Sequence, residues 1–343
     1  MKTELLRHLE CPDCQGALSL LGHPEVSHQC DDVEEGTLNC CQCGVAFPIV
    51  RSLPRFVAGD NYAASFGFQW NKFPTLQMDS VMRNDLSRKR FYDCTRWPRQ
   101  LPGERILEAG CGAGRFTALA LETGAEVFSF DLSSAVEAAH ENNRNAPRLH
   151  IFQASIYGLP LRKGLFDKIF CMGVIQHCPD PKKAFVSLVP FLRPGGMIVI
   201  DVYSKAGFPP PLKYWARPIT RRVPPQALYA VLARVIPLAF DIKRLMYRAP
   251  AIGARFAALI PIGPLSHAEI GLHYTDEELK QVKVLSAFDM LSPRYDLPQK
   301  IEDVQQWFQE AGLVDIETRF GYNGINARGK RPLCDDHVAR PSR

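Results

Sequence analysis

The stretch RILEAGCGAGRFTALALETGAEVFSFD, residues 105–131, constrains this chain more than any other part of it. An apolar run of strand length leads into glycines at 110, 112 and 114, a helical pattern follows near 115–123, and a second apolar run ends on Asp131. This is a strand–helix–strand unit with an acid about 20 residues beyond a glycine turn, the setting in which a parallel sheet holds a nucleoside. The glycines let backbone approach a ligand, and a carboxylate at a strand's carboxyl end accepts hydrogen bonds from two ribose hydroxyls. The spacing excludes two other nucleotide classes. A dinucleotide fingerprint needs glycine at position 115, which is Arg115, and a P-loop ends in Gly-Lys-Ser/Thr, which this segment lacks. Glu108 beside the loop suits a ligand carrying positive charge better than a pyrophosphate.

Downstream, IFQASIYGLPLRKGLFDKIF (151–170) reads as a third strand, a Leu-Pro step and a Phe-Asp opening of strand four, and FLRPGGMIVIDVY (191–203) as an Arg-Pro-Gly-Gly turn with strand five. Together with Glu108-Ala-Gly110-Cys-Gly112-Ala-Gly114, this order resembles the class I S-adenosylmethionine (SAM)-dependent methyltransferases, over roughly 85–203 and a return at 300–330. The resemblance implies a Rossmann-like, doubly wound seven-stranded α/β sheet, SAM as cofactor and methyl transfer as the reaction. It implies cofactor contacts from Glu108, Gly110, Cys111, Gly112, Gly114, Asp131, Leu132, Ser155, Ile156 and Met172. One departure stands out: many relatives carry Asp four residues before Leu-Pro, against the adenine amino group, where this chain has Ser155.

Eleven cysteines are many for a chain whose start, MKTELLRHLECPDC, has acids where a secretory signal carries an apolar core, and which therefore reads as cytoplasmic. Cys11/Cys14 and Cys40/Cys43 form two Cys-x-x-Cys pairs with 25 residues between them, four soft ligands for a tetrahedral structural zinc ion. Disulfides are the weaker reading in a reducing compartment. Cys41 leaves the register of the second pair open, and Cys30, His23 and His28 are spare ligands. The stretch CPDCQGAL through CQCGVAFPIVRSLPRF (5–57) resembles the Trm112-like zinc ribbon, found as a partner of methyltransferases or fused ahead of them. Metal binding would supply much of the folding free energy of so small a segment.

Methyl transfer from a sulfonium is an in-line displacement, so a general base is needed only when the acceptor keeps its proton. His177, in MGVIQHCPD just past strand four, is the candidate base, with packing as its plain alternative. Gln176 orients an acceptor or caps the turn; Cys111 and Cys178 read as small packing residues. Phe66, Phe68, Trp70 and Phe73, ahead of the first strand, suggest an aromatic wall beside a cation. FDMLSPRYDLP (288–298) reads as a pocket-facing loop carrying Asp289, Ser292, Arg294 and Tyr295. IEDVQQWFQEAG and the Asn323-Gly324 turn give a closing helix and hairpin.

The expected organisation is a ribbon at 1–58, lid helices at 59–100, a SAM-binding core at 101–203, an insertion at 204–275, a closing helix and hairpin at 276–331, and a disordered tail at 332–343. The insertion holds ten of 27 prolines, and Lys205–Arg255 has ten Lys/Arg against Asp241 alone. Basic residues around apolar helical runs fit a subdomain packed on the core, a cover for a lipid-linked acceptor, or peripheral membrane contact through 205–260. No run reaches 18 uninterrupted apolar residues, which argues against a spanning helix. A net charge of +5 is too mild to argue for nucleic acid, and the first 60 residues carry more acids than bases. The sequence therefore favours a small-molecule or lipid/glycan-linked acceptor over RNA, with a non-catalytic SAM-fold binding protein as a third reading.

Overall fold

The computed structural model describes residues 1–22, 25–26, 32–205, 213–247 and 272–333. Cys30, His23, His28, parts of the insertion and most of the tail lie outside the described residues. The amino-terminal module is built from β1 (Leu18–Leu20), β2 (Glu25–Val26), β3 (Val33–Cys40), β4 (Ala46–Val50) and β5 (Leu53–Pro54). Three helices follow: α1 (Ala64–Lys72), α2 (Asp79–Met82) and α3 (Leu86–Thr95). The alternating core then runs β6 (Arg105–Ala109), α4 (Arg115–Glu122), β7 (Glu126–Asp131), α5 (Val136–Asn143), β8 (Leu149–Gln153), β9 (Phe166–Met172), α6 (Pro181–Leu188) and β10 (Leu192–Val202). Last come α7 (Lys213–Thr220), α8 (Pro225–Tyr247), α9 (Asp276–Leu291), α10 (Ile301–Glu310), β11 (Val314–Gly321) and β12 (Gly324–Lys330).

Seven strands form one sheet in the order β11-β12-β10-β9-β6-β7-β8. The five from β8 to β10 are parallel and read as near-continuous apolar runs because helices cover both faces. β12 pairs antiparallel with β10, and the Gly324 turn makes the closing hairpin. The Arg193-Pro-Gly-Gly segment is not a separate turn. It lies inside β10 as an irregularity that shifts the register between Leu192 and Met197.

The ribbon joins the core as one body. Its last strand runs into a parallel bridge between Arg55 and Gln153, and the Phe56 amide donates to the Gln153 carbonyl at 2.9 Å, so the ribbon extends the sheet at the β8 edge. Phe56 packs against Phe152 and His8 against Phe128, and one apolar cluster runs from Leu5, Leu38 and Phe47 to Phe128 and Phe166. Covering an edge strand in this way removes an open template for mispairing.

The helix α9 starts at a capping box, with Thr275 accepting from the Glu278 amide and Glu278 from the Thr275 amide. It continues to Leu291, so Asp289 is helical rather than part of the loop expected at 288–298. Arg217 of α7 meets the helix end, donating to the carbonyls of Met290 and Pro293 at 2.9 Å each. Helix α8 is long and apolar enough by length and composition to cross a membrane, yet one of its faces, Leu228, Leu232 and Ile236, is packed on α9.

Candidate active site

β6 ends at Ala109 and the chain turns through Gly110 and Gly114 at φ +82° and +86°, a region other residues enter at a cost. Space forbids side chains there as well. A Cβ on Gly110 would lie 2.4 Å from Val174 Cγ2, and one on Gly114 3.1 Å from the Ala139 backbone. The loop is thereby pulled tight against the neighbouring crossover and α5.

Asp131, at the end of β7, faces the loop. Its carboxylate accepts from the Gly112 amide at 3.0 Å and from the Ser133 amide and hydroxyl at 2.8 and 2.7 Å. Burial pushes its pKa up while these donors pull it down. Glu108 behaves differently. It is buried beneath the loop, takes hydroxyls from Thr117 and Ser129, and is pushed up to about 7 by burial. It ties β6 to α4 and β7 and does not line the cavity.

A cavity of about 460 Å³ opens between this loop and the helices α1 and α9. Gly110, Cys111, Gly112, Asp131, Leu132, Ile156 and Met172 line it; Gly114 and Ser155 do not. The Ser155 hydroxyl accepts from the Tyr157 amide instead. The helical repeat splits the expected aromatic wall. Phe66 and Trp70 face the cavity, whereas Phe68 and Phe73 pack on Tyr229 of α8.

Two cations on the wall went unrecognised in the sequence. Arg90 of α3 lies on Asp201 with both contacts at 2.9–3.0 Å, and Asn323 donates to the same carboxylate. Arg115 has no carboxylate partner among the described residues. Burial and the neighbouring Arg90 pull its pKa down to about 9, and its guanidinium lies 4.5 Å from the Phe116 ring centroid. An arginine directly after the last loop glycine was visible; what it faced was not.

His177, also on the cavity wall, sits in a 3-10 turn, Ile175–His177, between Phe66 and Tyr203 at centroid distances of 4.9 and 5.4 Å. Its Nδ1 lies 2.9 Å from the Tyr295 carbonyl. A carbonyl only accepts, so Nδ1 carries the proton and Nε2 holds a lone pair. Burial lowers its pKa, which favours the neutral ring. Val282, Leu285, Ser286 and Asp289 form the α9 wall, and Gln69 Nε2 donates to Asp289 at 3.1 Å. Gln176 is fully buried with neither amide atom hydrogen-bonded to another described residue, and it is not on the cavity wall. Cys178 is buried and pushed up to about 12, which keeps it a thiol.

In the ribbon, the sulfurs of Cys11, Cys14, Cys40 and Cys43 all lie within 4.8 Å of one another. Cys11–Cys43 is 3.8 Å and Cys14–Cys40 is 3.4 Å. Zinc–sulfur bonds of about 2.3 Å in a tetrahedron put sulfurs roughly 3.8 Å apart, so the cluster fits Zn²⁺. Amides of Gln42 and Cys43 point at Cys40 Sγ, and the Cys43 contact draws that thiol down to about 6. Cys41 is exposed beside Ser19 and outside the cluster.

Counted with β6 as the first strand, a sheet in the order 3-2-1-4-5-7-6, with the seventh (β12) antiparallel and a glycine loop facing Asp131, is the class I methyltransferase architecture. Residues 107–200 match the family model described as methyltransferase domain, and residues 2–52 that of Trm112p-like protein, so the chain carries a methyltransferase domain behind a Trm112p-like domain. The phosphoethanolamine N-methyltransferase 2 of Caenorhabditis elegans is 34% identical over 30% of this chain and 25% of its own. The malonyl-[acyl-carrier protein] O-methyltransferase of Enterobacter lignolyticus is 32% identical over 32% of this chain and 43% of its own. The ubiquinone biosynthesis O-methyltransferase of Albidiferax ferrireducens is 28% identical over 30% and 43%. The chain thus spans less than half the length of these relatives.

Proposed function

We propose that this protein is a SAM-dependent methyltransferase acting on a small-molecule or lipid/glycan-linked acceptor. The observation that carries the reading is one cavity lined by both Asp131 and His177, the latter with an Nε2 that bonds to no other described residue. SAM supplies an electrophilic methyl group on a sulfonium; the acceptor gains it and gives up a proton. Asp131 retains lone pairs for two ribose hydroxyls. Arg115, a cation with no carboxylate partner among the described residues, suits the cofactor's carboxylate, with Arg90 held beside it by Asp201. Leu132, Ile156 and Met172 offer apolar contact to adenine. Phe66 and Trp70 exclude water and offer ring faces to positive charge.

In this reading His177 takes the acceptor's proton at Nε2 while Tyr295 holds the ring in the one tautomer that can do so. Asp289, with one oxygen tied to Gln69, hydrogen-bonds a hydroxyl or amine of the acceptor. The similar O- and N-methyltransferases, named for phosphoethanolamine, a malonylated acyl carrier and ubiquinone biosynthesis, support this class. The test is transfer of tritium from labelled SAM into fractionated small metabolites, lipid extract and RNA. Label in the first two supports the reading. Label in RNA alone overturns the acceptor class, and SAM binding with no transfer favours a binding protein.

A further inference from the structure

Helix α8 carries more apolar surface than its packing uses. Leu228, Leu232 and Ile236 are buried against Val284, Ala287 and Phe288 of α9. Beside them runs a second stripe of Val231, Val235, Leu238, Ile242 and Leu245, at alternating steps of four and three residues. All five are exposed, Leu238 by 62% and Leu245 by 65%. At 3.6 residues per turn the two stripes are adjacent, so apolar side chains cover roughly 200° of the helix where one packed neighbour needs roughly 100°. On α7, Trp215 and Ile219 stand one turn apart and are each 72% exposed, while Arg217 between them turns inward. Large apolar residues massed on one helix pair mark an interaction surface, unlike single exposed leucines.

Charge on α7 and α8 is predominantly positive, although Lys213, Arg217 and Arg244 pair with Asp296 and Asp276. Residues 213–247 hold seven Lys/Arg and one acid, Asp241, which pairs with Lys280 of α9. Arg221, Arg222 and Arg234 are exposed and have no carboxylate partner among the described residues. We propose that the outer faces of α7 and α8 dock on an anionic lipid bilayer, with α8 lying in the headgroup plane. Apolar side chains, an exposed Trp and a cationic rim are the composition of an interfacial helix. A spanning helix is excluded, because α8 would have to abandon its contact with α9. A second copy of this chain fits less well: its own cationic rim would oppose the first, and Pro237 inside α8 interrupts a regular helix–helix seam. The opposite face of α9 supplies the cavity wall at Leu285, Ser286 and Asp289, so the docked surface lies one helix from the cavity.

This surface stands apart from the methyl-transfer reading, since vesicle binding requires neither SAM nor turnover. The full-length chain is sedimented with vesicles of phosphatidylcholine alone or with about one-third phosphatidylglycerol. Binding to the anionic vesicles is expected at least about tenfold above the neutral ones, weakening as salt is raised. Leu238→Glu with Ile242→Glu, and separately Arg221→Glu with Arg222→Glu, each lower binding by about tenfold or more. These positions are exposed, so melting temperature and SAM affinity, measured on the same samples, stay at wild-type values. The proposal is overturned if the wild-type chain ignores anionic vesicles or if both double variants bind as it does. It is also overturned if the Leu238/Ile242 variant turns a wild-type dimer into a monomer while binding vesicles unchanged.

Discussion

His177 and Tyr295 are 118 residues apart in sequence, yet the imidazole Nδ1 and the Tyr295 carbonyl oxygen meet at 2.9 Å. The contact selects the tautomer that leaves Nε2 free, and burial between Phe66 and Tyr203 disfavours the charged ring. With the pKa lowered below 6.5, the base is neutral at and above that pH and is lost only at lower pH. Methyl transfer should therefore hold through neutral pH and fall on an acid limb below 6.5. His177→Gln should lower kcat about 100-fold with SAM affinity unchanged. An unaltered kcat and pH profile in that variant would remove His177 from proton transfer.

Asp131→Ala should weaken SAM binding by about tenfold or more, because two ribose hydroxyls lose a charged acceptor. Titration calorimetry reads this directly. Unchanged affinity would contradict the ribose assignment.

Arg115→Met separates ligand binding from folding. The guanidinium lies near Arg90 with no carboxylate pair among the described residues, and burial disfavours its charge more than the surrounding acids favour it, so removing it relieves a net electrostatic penalty in the apo fold. The expected outcome is an unchanged or raised melting temperature together with SAM affinity reduced about tenfold. A fall in melting temperature with affinity intact would make Arg115 a packing residue.

Removing zinc should destabilise the whole chain. The ribbon shares its apolar cluster with the core and its backbone pairs with β8, so the two should unfold together. Chelation, or Cys14→Ser, should lower the melting temperature in one calorimetric transition and release about one metal per chain. Two separate transitions would show an independent ribbon.

Glu108 gives a stability signature. Its folded pKa of about 7 lies above its ordinary 4.5, so its contribution is full below pH 4.5 and is lost as pH rises through 7. Glu108→Gln keeps an acceptor for Thr117 and Ser129 and should flatten the decline in urea midpoint across that window. A decline as steep in the variant would assign the effect to other groups.

Much of the core was legible locally. Apolar strand runs, positive-φ glycines and an acid at a strand end are properties of short segments, so β6 through β10 followed from residues 105–203. The four-cysteine cluster was legible too, although the turn geometry is what puts Cys40 in it and leaves Cys41 out. Helix phase was harder to read. Phe66 and Phe68 look alike in sequence, and only packing of α1 between the cavity and α8 sends one to each side. Asp289 was recognised as pocket-facing, but the capping box at Thr275 and Glu278 makes its segment helical.

The glycine loop with Asp131 is determined by the sequence alone, because close backbone approach and a strand-end carboxylate are demands that local residue identity meets. Tertiary structure decided what else faces the ligand. It buried Glu108 under two hydroxyls, left Arg115 on the wall with no carboxylate partner among the described residues, and brought Tyr295 to His177. Each outcome depends on which distant chain fills the neighbouring space, and no local spacing encodes that.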